Sequence, residues 1–421
     1  MKTYVLVGTG GRGTFMYAEA IVQRYQDAAK LVGLMDANLR RAAYVAKRLA
    51  QPDQPPIPIF SDFAEMVRQV KPQCAIITTV DQFHDRYIAA ALDMGLEVIS
   101  EKPMTTDASK CRAILAAEKR NARGITVTFN CRFMPLFAKL KEMLRAGAVG
   151  TVLNVDFEWM LDTSHGADYF RRWHRYMANS GGLLVHKATH HFDIINWLIE
   201  QEPESVFANG SLRFYGPSRE QRGERCSTCP HTGTCAYVFR DAQIDWVRDM
   251  YFGCEGEDGY YRDRCVFAPD IDIYDTMSLA VRYRKGALMS YSLVAHSPYE
   301  GWRMSITGTE GRLEASEFST GPLARDAVHR IDVFNRKQER LTVELAKESG
   351  SHGGGDERLL RMLFRNDLAD PLGQYAGSRD GAMSILIGIA ANQSIREKRL
   401  VTIAELVPDA DFEKTTEALT R

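Results

Sequence analysis

The feature that most constrains this chain is a glycine-rich turn between a short apolar run and a helical pattern. Gly8, Gly10 and Gly13 form the spacing G-x-G-x-x-G directly after the β-branched and aromatic run at residues 4–7. Gly8 permits a tight turn, Gly10 lets the backbone approach a pyrophosphate, and Gly13 lets helix and strand pack closely. The start of the following helix offers unpaired N–H groups and a positive dipole end. The turn therefore predicts a dinucleotide-binding site that needs no charged side chain for the phosphates.

Asp36 indicates which dinucleotide binds. It ends the second apolar run, at residues 31–35. A carboxylate there accepts hydrogen bonds from the ribose hydroxyls of adenosine and repels a 2′-phosphate, which favours NAD over NADP. Arg40 and Arg41 are close enough in sequence to reach a phosphate, so NADP remains possible.

Strand and helix patterns alternate through the first third of the chain and then change character. Buried-strand candidates at 75–78, 97–100 and 125–129 alternate with helical stretches, which predicts a doubly wound parallel sheet. After about residue 130, longer strand candidates appear at 151–161, 204–214, 277–283 and 287–295. We therefore predict an α/β Rossmann domain at 1–128. A substrate-binding and oligomerisation α+β domain follows at 129–421, with a large, mostly antiparallel open sheet and a cysteine-rich insertion at about 216–268.

Composition excludes several classes of protein. The chain has 421 residues, 45% of them hydrophobic, and 53 basic against 54 acidic residues give a formal charge of −1. A protein that binds nucleic acid or an anionic membrane needs a field of one sign, which this balance does not supply. The longest apolar run, at 385–391, is far below the roughly 20 residues of a membrane span. With no signal-peptide pattern at residues 1–10, we expect a cytoplasmic protein.

An ordered set of motifs identifies a family resemblance. Glu101-Lys102-Pro103 follows one predicted strand, and Asn130, Arg132, Phe133 and Pro135 follow the next. Together with the glycine turn, Thr79-x4-His84 and the stretch from Gly181-Gly182 through Asp193, these motifs resemble the Gfo/Idh/MocA oxidoreductases. The resemblance covers nearly the whole chain.

The resemblance implies a Rossmann domain followed by a domain with a large open sheet, and homodimers or homotetramers packed through that sheet. It places Lys102 beside the nicotinamide and the reacting hydroxyl. The cofactor-binding residues that it implies, with those of the turn and Asp36, are Gly8, Gly10, Gly11, Arg12, Gly13, Asp36, Thr79, His84, Glu101, Lys102 and Asn130.

The family's catalytic helix carries the pattern D-x-G-x-H-x-x-D, and the matching stretch here runs from His186 to Asp193. His190 and Asp193 fit the pattern, but His186 replaces the usual Asp and Ala188 the usual Gly. On a continuous helix, positions 186, 190 and 193 share one face. Two imidazoles and a carboxylate are therefore expected to converge on one cleft.

An alcohol oxidation needs a base near the hydroxyl with a pKa close to neutrality. We expect His190 to take the hydroxyl proton, Lys102 to hold and polarise the oxygen, and His186 to orient the substrate or relay the proton. Asp193 either orients His190 or serves helix packing. His186 and His190 also have the spacing of a metal pair, but nicotinamide chemistry needs no metal and the H-E-x-x-H glutamate is missing.

The segment 165–176 holds the clearest candidates for substrate contact. Aromatic faces cover sugar C–H surfaces while Arg and His donate to hydroxyls or a carboxylate; a cluster that packs the domain junction is the alternative. Tyr299-Glu300-x-Trp302 and His352-Gly-Gly-Gly-Asp356 are weaker candidates. The predicted substrate-binding residues are Lys102, Arg132, Tyr169, Arg172, Trp173, His174, His186 and Asp193.

The insertion holds five of the eight cysteines. Four thiolates can make a tetrahedral site that orders a segment with little apolar periodicity, so we predict structural zinc. An iron–sulfur cluster is less favoured because the spacings match neither common ferredoxin run, and unligated thiols are the other alternative. The predicted ligands are Cys226, Cys229, Cys235 and Cys265, with Cys254 and His231 as substitutes.

These features predict an NAD(P)-dependent oxidoreductase that oxidises a secondary hydroxyl of a sugar or glycoside by hydride transfer. One alternative, a reaction known in the superfamily, is an NAD-dependent glycosidase, in which transient oxidation, elimination, addition and reduction cleave the glycoside without net redox change. A second alternative is a sensing protein that keeps the fold without catalysis. The intact Glu101-Lys102-Pro103 motif argues against it.

Overall fold

A six-stranded parallel sheet forms the first part of the molecule. The computed structural model describes residues 1–52, 54–324, 327–409 and 412. The sheet has the order β3-β2-β1-β4-β5-β6, so the strand order reverses beside β1. Its strands are β1 (Lys2–Val7), β2 (Ala29–Met35), β3 (Ile59–Phe60), β4 (Cys74–Ile77), β5 (Glu97–Ser100) and β6 (Ile125–Val127).

Helices cover both faces of this sheet, and polar side chains define where several of them begin. Asn38, Asp62 and Asp107 each accept a hydrogen bond from a backbone N–H in the first turn, which satisfies a donor that a helix start leaves unpaired. The first helix is π-type at its start. The helices are Arg12–Ala18 continuing as Glu19–Gln23, Leu39–Arg48, Phe63–Val70, Asp81–Phe83, His84–Asp93 and Ala108–Asn121.

A nine-stranded sheet forms the second part, in the order β14-β13-β12-β11-β7-β10-β9-β8-β15. Strands β7 and β10 pair in parallel and the other neighbours are antiparallel. The predicted fold class is confirmed. The strands are β7 (Val152–Asp162), β8 (Pro203–Ser211), β9 (Thr276–Tyr283), β10 (Leu288–Ser297), β11 (Gly301–Gly308), β12 (Gly311–Phe318), β13 (Val328–Asn335), β14 (Arg340–Ala346) and β15 (Val401–Thr402).

Helices on the inner face of the large sheet hold the site against the first sheet. Thr189–Ile199 contacts Ser378–Glu397, which in turn packs on β8. Among the described helices, none is both long and apolar enough to cross a membrane. The remaining helices are Asn130–Phe133, Pro135–Arg145, Thr163–Arg171, Trp173–Arg175, Met177–Ser180, Leu183–His186, Ser351–Gly354, Gly355–Phe364 and Ile403–Leu406.

The cysteine-rich insertion lies between β8 and β9 and consists of short helical turns joined by loops. Its second half, residues 245–258, is called the covering segment below because it lies against the first sheet's helices. The Trp246 ring meets the Phe15 ring edge to face at 4.8 Å. The insertion's helical turns are Cys226–Thr228, Asp241–Gln243, Asp245–Val247, Arg248–Phe252 and Glu255–Asp258.

Candidate active site

The carboxyl ends of the parallel strands bring most of the predicted cofactor residues to one edge. Gly8 follows β1, Asp36 follows β2, and Lys102 lies two residues beyond β5. Ligands of doubly wound sheets bind at this edge, beside the point where strand order reverses. Residues that the sequence assigned to the cofactor site therefore lie along one edge of the sheet.

The turn after β1 has the geometry that a phosphate site requires. Gly8 has φ of 96°, and a Cβ on it would lie 2.7 Å from the carbonyl oxygen of Thr78. A Cβ on Gly13 would lie 2.5 Å from the carbonyl oxygen of Gly8. Both positions exclude any side chain, as expected for a turn whose helix packs tightly on its strand. The turn fits a dinucleotide pyrophosphate.

Tyr251 of the covering segment reaches into this turn. The Gly11 N–H, which directly precedes the first helix, donates a hydrogen bond of 2.8 Å to the Tyr251 hydroxyl. A Cβ on Gly11 would lie 3.3 Å from that oxygen. One of the amide groups predicted to bind phosphate is thus satisfied by a side chain 240 residues away.

Asp36 is placed as predicted, but its carboxylate already has protein partners. Oδ2 accepts hydrogen bonds of 2.8 Å from both the N–H and the hydroxyl of Thr9. Oδ1 accepts one of 2.9 Å from the Asn38 N–H and lies 3.4 Å from Arg41 Nη1. Arg41 Nη2 donates to Asp258 of the covering segment at 2.7 Å. Three acidic and basic groups therefore form one network at the end of β2.

Lys102 lies where the two parts of the molecule meet. Its Nζ donates a 3.2 Å hydrogen bond to the carbonyl oxygen of His186. Burial lowers the pKa of Lys102 to about 8, although the carboxylates of Glu101 and Asp81 oppose the change. An amine with this pKa exchanges a proton near neutral pH.

Glu101 and its predicted neighbours form a polar cluster behind the turn. Glu101 Oε1 accepts 2.6 Å hydrogen bonds from Arg12 Nε and from the Tyr17 hydroxyl. Asn130 Nδ2 donates to Asp356 Oδ1 at 2.5 Å. These side chains bind one another and hold the strand ends in place. Glu101 also accepts a hydrogen bond from the backbone N–H of Lys102, which fixes the backbone there.

His84 acts through the backbone. Its ring nitrogens lie 2.8 Å from the Pro103 carbonyl oxygen and 3.0 Å from that of Thr79. Burial lowers the pKa of His84. Both nitrogens face carbonyls of the two loops that His84 joins, and its contact with the cofactor stays a prediction.

The predicted continuous helix from His186 to Asp193 is interrupted. His186 ends the helix Leu183–His186, and Thr189–Ile199 begins after two residues. His186 Nδ1 lies 2.5 Å from Asp81 Oδ2. Burial raises the pKa of Asp81 well above its usual range, and burial with the nearby Lys102 charge holds the pKa of His186 well below its own. The pair therefore shares one proton.

His190 is buried with its Nδ1 unpartnered among the described residues. Burial, followed by the positive charges of Lys102 and Lys187, holds the pKa of His190 well below its usual range. The Nδ1 atom of this neutral imidazole is closed off from solvent, so a substrate would reach it only if neighbouring side chains moved. As a proton acceptor it is weaker than Lys102.

Arg132 and Asp193 bind each other. Arg132 Nε and Nη2 donate to the two carboxylate oxygens of Asp193 at 2.8 and 2.6 Å, and Arg132 Nη2 also pairs with Asp380 at 2.9 Å. Arg132 is 2% exposed and Asp193 1%. Both side chains are buried in this ion pair, and their contacts with the substrate stay predictions. Of the two roles expected for Asp193, packing fits the structure.

Aromatic side chains from 165–176 surround His186. The His174 ring stacks on Trp173 with centroids 3.6 Å apart and lies 4.3 Å from the ring of His186. Tyr169 lies 5.6 Å from His186. Burial and the Arg172 charge hold the pKa of His174 well below its usual range, and its Nδ1 is unpartnered among the described residues. Arg172 itself pairs with Asp168 at 2.6 Å.

The weaker candidates divide between the aromatic wall, formed by the side chains of 165–176 that surround His186, and the structural core. Glu300 lies 2.9 Å from His165 Nδ1, and His165 Nε2 lies 3.0 Å from the Tyr169 hydroxyl. This links Glu300 to the aromatic wall. Trp302 is 2% exposed and stacks on Phe137 at 5.1 Å, so it belongs to the core.

The cysteines do not form a metal site. Cys226, Cys229, Cys235 and Cys265 line one small cavity, but Arg171 donates to the Cys226 sulfur at 3.4 Å and Arg219 to the Cys235 sulfur at 3.0 Å. These guanidinium groups place positive charge where a cation would bind. In the described part of the chain, no group of three or more His, Cys, Asp or Glu residues is placed to hold a metal. The zinc prediction and its iron–sulfur alternative are therefore unsupported.

Asp81, Tyr251 and Asp258 are site residues that the sequence did not reveal. Arg262, whose guanidinium carbon lies 4.3 Å from the centre of the Tyr251 ring, is a fourth. Asp81 falls inside the motif Thr79-x4-His84, at one of its unspecified positions. The other three lie in the insertion, whose irregular sequence carries no signal that it returns to the glycine turn.

Two family models match this chain. Residues 2–129 match the model described as "Oxidoreductase family, NAD-binding Rossmann fold" of the Gfo/Idh/MocA type, and residues 141–403 match its "C-terminal alpha/beta domain". The chain is 38% identical to YteT of Bacillus subtilis (strain 168), with 96% of this chain and 99% of YteT covered. It is 21% identical to myo-inositol 2-dehydrogenase of Thermotoga maritima, with 96% and 98% covered.

A solved structure of levoglucosan dehydrogenase, in complex with NADH and levoglucosan, shares the fold. Its TM-score is 0.67 at 19% identity, with 96% of this chain and 99% of that chain covered. At that identity the likeness describes the fold alone. The two family matches, which together span both sheets, establish the relationship, and the chain belongs to the Gfo/Idh/MocA family of oxidoreductases.

Proposed function

We propose that this protein oxidises a secondary hydroxyl of a sugar or glycoside by hydride transfer to NAD. The observation that carries the proposal is Lys102, a partly buried amine with a pKa of about 8, beside His186 and at the same cleft edge as the glycine turn. A bound nicotinamide dinucleotide supplies the hydride acceptor. The chain itself must then bind the hydroxyl, remove its proton and exclude water.

Lys102 is the better proton acceptor in this arrangement. Its neutral amine is available near pH 8, whereas the pKa of His190 is held well below neutrality by burial and nearby lysines. We therefore assign the hydroxyl proton to Lys102 Nζ and a hydrogen bond to the same hydroxyl or its neighbour to His190. This reverses the two roles that the sequence suggested. His186, tied to Asp81, positions Lys102 through its carbonyl oxygen.

The wall beside His186 supports a sugar as the substrate. Trp173 is partly exposed and offers an aromatic surface beside His186, and the buried rings of Tyr169 and His174 pack against the same histidine. Apolar faces with a few oriented polar groups are typical of carbohydrate sites. The names of the related myo-inositol and levoglucosan dehydrogenases point to the same class of polyhydroxylated substrate.

NAD is the proposed dinucleotide because carboxylates surround the end of β2. Arg41, the nearest cation, is engaged by both Asp36 and Asp258. A 2′-phosphate would have to displace these carboxylates. Asp36 can exchange its Thr9 and Asn38 contacts for ribose hydroxyls.

The test is a panel of monosaccharides, glycosides and sugar acids incubated with NAD and with NADP, while NADH absorbance and aglycone release are followed together. We expect one class of compound to give NADH in proportion to the substrate consumed. Aglycone release without net NADH would replace the proposal with the glycosidase reaction. Tight sugar or nucleotide binding with neither product would indicate a sensing protein.

A further inference from the structure

The covering segment places a tyrosine hydroxyl on the amide that should bind phosphate. Gly11 N–H donates to Tyr251 at 2.8 Å, and this amide directly precedes the helix that begins at Arg12. Backbone N–H groups at this point of a Rossmann fold bind the pyrophosphate of the dinucleotide. The hydroxyl oxygen therefore stands in the place of a phosphate oxygen.

The charges around Tyr251 are those of an anion site. The guanidinium carbons of Arg262 and Arg41 lie 4.3 and 5.7 Å from the centre of the Tyr251 ring. Arg262 Nε is buried with no hydrogen-bond partner among the described residues. Asp36 and Asp258 already pair with Arg41. A neutral hydroxyl gives Arg262 Nε and the positive end of the first helix no counter-charge, and a pyrophosphate would supply one.

Contacts on both sides of the turn hold the segment in place, so the position of Tyr251 is not that of one isolated side chain. On one side Trp246 packs against Phe15. On the other side Asn38 Nδ2 donates to the carbonyl oxygen of Cys254 at 2.8 Å, and Arg41 binds Asp258. These contacts keep the backbone of Tyr251 beside the turn.

We propose that the covering segment is part of the dinucleotide site, and that the Tyr251 hydroxyl holds the Gly11 N–H until a phosphate oxygen of the dinucleotide replaces it. The inference rests on the proposed function only in requiring that a dinucleotide binds. Because the hydroxyl and the phosphate compete for one donor, each binding event breaks the tyrosine contact. Tyr251 thus lowers the affinity for the dinucleotide and couples its binding to the insertion.

The test measures NAD+ binding to the full-length protein by calorimetry. Tyr251→Phe removes the competing oxygen and keeps the ring, so we expect about three- to tenfold tighter binding, the worth of one neutral hydrogen bond. Tyr237→Phe is the matched control, because Tyr237 belongs to the insertion but packs against Phe267, away from the turn. Its affinity should equal that of the wild type.

A second measurement needs no variant. Amide hydrogen exchange of wild-type peptides covering 245–258 should increase when NAD+ is added, since the segment loses its contact with Gly11. Unchanged exchange, or Tyr251→Phe binding no tighter than wild type, overturns the inference. NAD+ binding without turnover of any sugar overturns the proposed function and leaves the inference intact. If neither wild type nor Tyr251→Phe binds NAD+ or NADP+, both fail.

Discussion

The two ends of the site are prepared differently. At the nucleotide end, the Gly11 N–H and the Asp36 carboxylate each have a partner within the protein. At the substrate end, His174 and His190 each keep a buried ring nitrogen without a partner among the described residues. The nucleotide end has its hydrogen bonds made, whereas the proposed substrate end has two ring nitrogens without one.

This difference has an energetic meaning. A buried polar atom without a partner costs about 1–3 kcal/mol, and the substrate end bears that cost at two histidines. A ligand that supplies the missing groups recovers it. At the nucleotide end a ligand must first replace partners that already exist. A ligand at the proposed substrate end would therefore add hydrogen bonds, whereas a dinucleotide would exchange hydrogen bonds that already exist.

Lys102 lies at the proposed substrate end, and its replacement gives the largest expected effect on turnover. If its amine takes the hydroxyl proton, Lys102→Ala should lower kcat about a thousandfold, within the range of general base catalysis. NAD+ affinity should change little, since the phosphates bind at the other end. The measurement is kcat for NADH formation beside calorimetric NAD+ binding.

Two control variants separate proton transfer from charge and from folding. Lys102→Arg keeps a positive charge, but its guanidinium does not lose a proton and cannot act as a base. This variant should therefore be as inactive as Lys102→Ala. Lys119→Ala changes an exposed lysine on the helix Ala108–Asn121 and should keep wild-type turnover and melting temperature. Activity in Lys102→Arg close to wild type would show that Lys102 supplies charge alone.

The next largest effect is the pH dependence of turnover. With a Lys102 pKa of about 8, the neutral amine needed for oxidation becomes scarcer as pH falls. The rate of oxidation should drop about tenfold per pH unit below 8 and level off above it. The reverse reduction needs the ammonium form and should fall above pH 8. Profiles of kcat/KM in both directions measure this, and an oxidation profile that is flat from pH 6 to 9 contradicts it.

The contrast also explains what the sequence could predict. The glycine turn, Asp36 and Lys102 follow strands, and strand ends of a parallel sheet meet at one edge whatever the rest of the chain does. Their assembly was therefore predictable from local patterns. Strands β11 to β14 were not predicted, although apolar residues alternate with polar ones along much of β12 to β14, as in half-buried strands.

Pairings between distant segments were beyond reach. Arg132 and Asp193 each looked like ligand-binding groups in their own motifs, and only the tertiary structure brings the two together as a buried ion pair. Tyr251 lies in a segment without periodicity, and its partner is 240 residues earlier. His186 and His190 were predicted to lie on one helix, but the helix is interrupted between them.

The smallest expected effect concerns dinucleotide choice at the end of β2. Asp258→Ala removes one of the carboxylates that engage Arg41, so the guanidinium gains freedom to approach a 2′-phosphate and one repulsive charge is lost. A charge at about 4 Å in a solvated setting is worth about 1 kcal/mol, so the ratio of NADP+ to NAD+ affinity should rise about fivefold. Asp249→Ala is the matched control, because this carboxylate lies in the same segment but pairs with Arg248 at the surface. An equal rise in both variants would mean that net charge, rather than the contact with Arg41, governs the choice, and the covering segment would then have no specific part in selecting NAD.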